Sequence, residues 1–253
     1  MKCKISNKHG HQADMQKFQN ISYNSPDPLG TSPEVPPIND NWQARRELAA
    51  ALRRFNSATL AADVPTELLR SVTAKVLKEL ARIETGEMVH GKKAQAERIA
   101  AGQGALPHMV YEMSPVLGLS NALAPPMDMW QAGGVVHGRV TAGWAYEGPF
   151  GLLHGGVIAL LFDQLLGTGA HVTGGSALTG RLTIHYHHTT PLNKPLRLVA
   201  RLDHEDGRKK FMVGEIWADD VRTATCEGLF IAPRKRPDAA SGYQIGAATA
   251  DSD

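Results

Sequence analysis

One stretch, residues 152–170, constrains the fold of this chain more than any other. Leu152-Leu153-His154-Gly155-Gly156-Val157 opens a run that stays apolar through Gln164-Leu165-Leu166-Gly167, with Asp163 as its single acidic residue. At helical spacing Ile158, Leu161, Phe162, Leu165 and Leu166 spread over adjoining faces, so a helix here has to be buried. Gly156, Ala159, Asp163, Gly167 and Ala170 fall on one narrow strip of the same helix. An ionised carboxylate among apolar side chains is costly unless something compensates it, and small neighbours leave room for a ligand. Gly155 and Gly156 offer backbone N–H groups at the helix start, where negative charge is stabilised. Together these features point to chemistry on a carbonyl.

The segments after the helix supply a surface to bury it. Residues 178–190, 196–203, 209–218 and 222–232 alternate apolar and polar side chains, as half-buried strands do. A similar alternation runs before the helix, with Val136, Gly138, Val140, Ala142 and Trp144 against His137, Arg139, Thr141 and Gly143. The breaks are short: Pro191 to Pro195, Glu205-Asp206-Gly207 and Asp219-Asp220. Gaps of that length favour antiparallel hairpins and leave no room for βαβ crossovers. The expected class is therefore α+β, a long central helix wrapped by a mostly antiparallel sheet.

The N-terminal part reads differently. Residues 1–40 are polar and broken by Pro26, Pro28, Pro33, Pro36 and Pro37, the composition of a disordered tail. A helix is expected from Asp40, with Trp42, Leu48, Leu52 and Phe55 as its apolar spacing, and a second from near Asp63, with Leu69, Val72, Val76, Leu80 and Ile83 as its stripe. These form a hairpin that needs another surface to cover it. A charged connector over residues 84–107, with a short helix around 94–100, completes an extension over 41–110. The main domain is expected over 111–235, with a flexible tail over 236–253.

Composition narrows the function. Within 253 residues a net charge of +2 gives no argument for nucleic acid. Cys3 and Cys226 are too few for a disulfide framework or a multi-cysteine metal site, and suit a reducing compartment. No run reaches the roughly 20 apolar residues of a membrane span, and no secretory h-region is evident, so the cytoplasm is the expected location. His185, His187 and His188 lack a nearby carboxylate or cysteine to complete a zinc site, so an exposed polar face is expected and no metal.

Distance along the helix carries a structural consequence. Asp163 lies eight residues after Gly155, about 12 Å along the axis at 1.5 Å per residue. A catalytic carboxylate and an oxyanion donor must both approach one carbonyl to about 3 Å. One copy of the helix cannot supply both, whereas two antiparallel copies about a two-fold axis can. If both groups are catalytic, the sites are shared within a homodimer, with a dimer of dimers as a further expectation.

Residues 140–233 resemble the PaaI-like hotdog-fold acyl-CoA thioesterases, and in particular the subgroup of thioesterase superfamily member 4. The resemblance rests on His154-Gly155-Gly156, on an acidic residue nine positions after that histidine (Asp163), and on Thr179-Gly180-Arg181-Leu182-Thr183-Ile184-His185-Tyr186. The Glu147-Gly148-Pro149-Phe150-Gly151 lead-in and the Gly207-Arg208-Lys209 turn are similar too. It implies a hotdog fold and hydrolysis of an acyl-CoA to a carboxylic acid and free coenzyme A, with no cofactor beyond the coenzyme A of the substrate. It further implies that Asp163 activates water or attacks the thioester, and that the Gly155 or Gly156 N–H holds the oxyanion. His154 would shape the loop, and Thr179 would position water or the carboxylate. Many relatives carry Asn or Gln six residues before the histidine, where this chain has Gly148. Arg208, Lys209 and Lys210 are candidates for the phosphates of coenzyme A, with an exposed basic hairpin as the plainer reading. Two rival functions are a non-catalytic acyl-CoA-binding or scaffold protein and an acyl-CoA hydratase or dehydratase. The second needs a catalytic His paired with an acid at a spacing not found here.

Overall fold

A computed structural model describes residues 39–91, 94, 112–125, 127–175 and 177–234. Of the expected tail over 1–40 only Asn39 and Asp40 are among these residues; the tail over 236–253 lies outside them, as does the short helix around 94–100 apart from Ala94. The chain forms two compact units, residues 125–232 and residues 41–124.

In the first unit six strands build one sheet: β1 (Asp128–Ala132), β2 (Val135–Thr141), β3 (Leu178–Tyr186), β4 (Pro195–Asp206), β5 (Lys209–Ala218) and β6 (Val221–Ile231). Their order is β1-β2-β4-β5-β6-β3, and every neighbouring pair is antiparallel. The five expected strand runs are all present, and β1 is an addition that alternation does not reveal. The run after Thr141 leaves the sheet, and Trp144–Tyr146 turns as a 3-10 helix. The long helix, Gly155–Val172, lies against this sheet and makes it the hotdog arrangement.

The helix approaches the sheet closely because the strands beneath it carry glycines. A Cβ on Gly214 would meet Leu166 Cδ1 at 2.5 Å, and one on Gly228 would meet Leu166 Cδ2 at 2.8 Å. On Gly138 it would meet Leu165 Cδ1 at 3.3 Å. Into these gaps Leu161, Phe162, Leu165 and Leu166 insert, all fully buried, with Leu198, Met212, Ile216 and Phe230 of the strands. Each such side chain contributes about 1.5–3 kcal/mol on burial. By length and composition alone the helix is apolar enough to cross a membrane. Here its apolar faces are spent on the sheet.

In the second unit α1 (Asp40–Ala61) and α2 (Thr66–Ile83) occupy the expected stretches. We call the sheet-packed helix α3. Arg46 pairs in bidentate fashion with Glu112, and Arg53 donates to the Asn121 carbonyl at 2.9 Å, tying α1 to the segment 112–121. No residue of α2 is buried.

Candidate active site

Asp163 sits on the one face of α3 that the sheet leaves uncovered, and it is exposed. The strip expected around it is there: Gly156 is exposed, Ala159 and Gly167 are half-buried, and Ala170 closes it at the buried end. Compensation for the charge comes from this placement. Within one chain the carboxylate keeps its water, so the desolvation cost anticipated for an apolar helix is not incurred. No fixed cation is paired with Asp163 among the described residues; the hydroxyl of Thr179 donates to its Oδ1 at 2.8 Å.

Thr179 reaches the acid through a bulge. Along β3 strict alternation would put Thr179 on the same face as Arg181, Thr183 and His185, away from the helix. The register with β6 slips between Thr179 and Arg181, with Gly180 as the extra residue. A bulge re-aims the side chain before it, and Thr179 turns toward α3.

The N-terminal end of α3 is a second cluster. His154 is the N-cap, and its Nδ1 accepts from the Gly156 N–H at 2.9 Å. The Gly156 donor is thereby occupied, while the Gly155 N–H has no partner among the described residues. Of the two expected oxyanion donors, Gly155 is the one left open. Its carbonyl accepts from the Tyr186 hydroxyl at 3.0 Å. Tyr186 has no role assigned by the sequence beyond its place in the strand motif; alternation puts its ring on the helix side with Leu182 and Ile184, but not at any particular turn of the helix.

The lead-in loop explains the glycine at position 148. A Cβ there would stand 2.8 Å from His154 Cα and 3.2 Å from its Cβ, so this loop excludes any side chain. Glu147 braces the loop by accepting from the Gly151 N–H, and Gly151 takes a φ of +74° that favours glycine. Phe150 at the tip is wholly exposed.

The basic turn stands apart from this end of the helix. Lys210 is buried, and its ammonium donates to the Ala170 carbonyl at 2.7 Å, a favourable charge at a helix C-terminus. Ala170 lies 15 residues beyond Gly155, roughly 22 Å along the axis. Arg208 donates to the Ala232 carbonyl at 2.7 Å, and Lys209 lies 3.8 Å from Asp206. Each of the three basic residues thus has a partner within its own chain. His185 and His187 stack at 6.3 Å, and His187 bonds Thr225. No group of three metal-ligating side chains converges among the described residues. Burial raises the Cys226 thiol to about 12; the Thr183 backbone opposes that shift and the charge of Asp163 adds to it.

A profile of the family "Thioesterase superfamily" matches residues 150–225, which hold the whole helix and Thr179. The acyl-coenzyme A thioesterase THEM4 of Bos taurus is 37% identical over 87 residues, 34% of this chain and 35% of the relative. THEM4 of Xenopus laevis is 35% identical over 74 residues, 29% of this chain and 33% of the relative. The chain thus spans about a third of the length of these curated relatives. A crystal structure of a thioesterase superfamily protein superposes with a TM-score of 0.62 at 32% identity, over 74% of this chain and 90% of that one. With its helix, bulged strand and open aspartate accounted for, this chain belongs to the thioesterase superfamily.

Proposed function

We propose that the protein hydrolyses an acyl-CoA thioester to a carboxylic acid and free coenzyme A, in a site shared between two copies of the chain. The observation that carries this is the pairing of an open Asp163–Thr179 unit with an unoccupied Gly155 N–H on one continuous helix. About 12 Å separates the two along the axis, too far to serve one carbonyl. An antiparallel second copy brings Gly155 of one chain to Asp163 of the other. The surface such a copy would cover is open: among the described residues β3 is an edge strand with one side of its backbone unpaired, and Leu160, Leu178 and Tyr186 beside it are exposed.

In the proposed step Asp163 takes a proton from water while the water oxygen attacks the thioester carbon. The carbonyl π pair moves onto oxygen, where the Gly155 N–H stabilises it. Collapse re-forms the C=O and breaks the C–S bond, and the leaving thiolate recovers the proton from Asp163. Thr179 holds the carboxylate in place throughout. Direct attack by Asp163 gives an anhydride that water then opens; ¹⁸O from labelled water in a single turnover enters Asp163 only on that route. Arg208 and Lys209 are offered as contacts for the coenzyme A phosphates. Lys210 stays in that proposal only if its bond to Ala170 opens.

The test is thiol release from acetyl-, hexanoyl-, palmitoyl- and benzoyl-CoA by the parent protein and Asp163→Asn. Release by the parent and its loss in the variant is the expected result. Binding of every acyl-CoA with no release identifies a binding module instead. Mixing Asp163→Asn with Gly155→Val tests the shared site: about a quarter of parent activity should return, from the one intact site of each mixed dimer.

A further inference from the structure

Two hydrogen bonds at the start of α3 share one peptide group. The Tyr186 hydroxyl donates to the Gly155 carbonyl at 3.0 Å, and the N–H of that same peptide, on Gly156, donates to His154 Nδ1 at 2.9 Å. Linked bonds of this kind polarise one another, each strengthening the next. An Nδ1 that accepts carries no proton, so the neutral imidazole of His154 bears its hydrogen on Nε2.

That Nε2–H has no partner among the described residues, and His154 is exposed. On the side of the lead-in loop the ring meets main chain and no side chain. A Cβ at position 148 would stand 3.3 Å from Cδ2, the carbon next to Nε2, so glycine there keeps side-chain bulk off that edge. The other candidate donor nearby, the Gly156 N–H, is consumed by the cap. The helix start therefore presents two open donors, the Gly155 N–H and the His154 Nε2–H. Oxyanions of acyl transfer are held by donors fixed in advance of reaction, and a hydrogen-bonded ring on a helix cap is so fixed.

We infer that Tyr186, acting through the Gly155–Gly156 peptide, locks His154 in its Nε2–H tautomer, and that this N–H joins the Gly155 N–H in holding the thioester oxygen. Tyr186 is then a positioning residue and His154 a catalytic one, a role beyond shaping the loop. The inference rests on the thioester reading proposed above.

Three variants and one spectrum test it, with thiol release from the same acyl-CoA panel. His154→Ser keeps an acceptor for the helix cap but has no N–H at that reach. It should fold with an unchanged melting curve and lose about 100-fold in kcat with KM nearly constant, the usual effect of removing one oxyanion donor. His154→Gln restores a donor and should recover about tenfold of that loss. Tyr186→Phe keeps the ring and removes only the bond to the peptide; kcat should fall about threefold, again with little change in KM. ¹⁵N spectra of the parent should show His154 protonated on Nε2 and bare on Nδ1. His154→Ser with parental kcat, or a proton found on Nδ1, overturns the inference while leaving the thioesterase reading intact. A parent that releases no thiol from any of the acyl-CoAs, while Asp163→Asn behaves identically, overturns both.

Discussion

α2 and α3 are both 18 residues long, and both carry a broad apolar stripe at helical spacing. α3 has eight buried residues; α2 has none, and Leu69, Val76, Leu80 and Ile83 stand 43–57% exposed. Periodicity states which face of a helix needs cover. It does not state what provides that cover. For α3 the cover is a sheet whose glycines at 138, 214 and 228 let the helix settle close enough for Leu165 and Leu166 to lock between strands. The same sheet leaves one strip of α3 bare, and the proposed chemistry lies there. So the informative contrast is between a helix with one gap in its cover and a helix that the described residues of its own unit leave uncovered.

That contrast can be broken most forcefully at two adjacent positions. Phe162 is sealed in the sheet and Asp163 is open. Phe162→Ala should cost about 3–5 kcal/mol of unfolding free energy, measured by urea denaturation. Asp163→Asn should leave the denaturation midpoint unmoved while kcat falls about 10³-fold, roughly 4 kcal/mol on the barrier. If the two variants exchanged these effects, the assignment of faces on α3 would be wrong. Next in size is Gly148→Ala: its Cβ meets the main chain of His154 at 2.8 Å, so about 1–3 kcal/mol should be lost and the helix start displaced. Thr179→Ala should lower kcat about tenfold through loss of its bond to Asp163, with stability nearly unchanged.

The smallest effects sharpen the other side of the comparison. Leu80→Ala on α2 should change stability by under about 0.5 kcal/mol in the isolated chain, as exposed substitutions do. A larger loss would show that α2 is covered in the assembled protein. Alkaline pH probes α3's surroundings through Cys226. Its folded value is raised from 9.0 to about 12, so its contribution is complete below pH 9 and disappears as pH rises to about 12. Cys226→Ala should flatten that part of the stability profile.

Much of the fold was legible in the sequence because its signals are local. Alternation located five of the six strands, and the spacing of Ile158, Leu161, Phe162, Leu165 and Leu166 located the helix. β1 went unseen because its five residues show little alternation in burial. Asp163 was legible as a charge with no local reason to be where it is, and the distance to Gly155 comes from helix geometry alone. Three features of the site were beyond that reach. Thr179 faces Asp163 only because Gly180 bulges against β6, and alternation alone assigns it to the opposite face. Gly156 and Gly155 look equivalent in sequence, yet the imidazole of His154 takes the first and leaves the second free. Tyr186 meets Gly155 across 31 positions of chain.

The order of residues thus settled which segments are helix and which are strand, and that an acid stands in the middle of the most apolar helix. Those are properties of neighbours along the chain, set by side-chain spacing against periods of 3.6 and 2. Which donor stays open, which hydroxyl meets the acid, and which face of α3 lies bare were decided by strand register and by contacts between distant segments. No local rule encodes such contacts, because their free energy exists only once the sheet has closed over the helix.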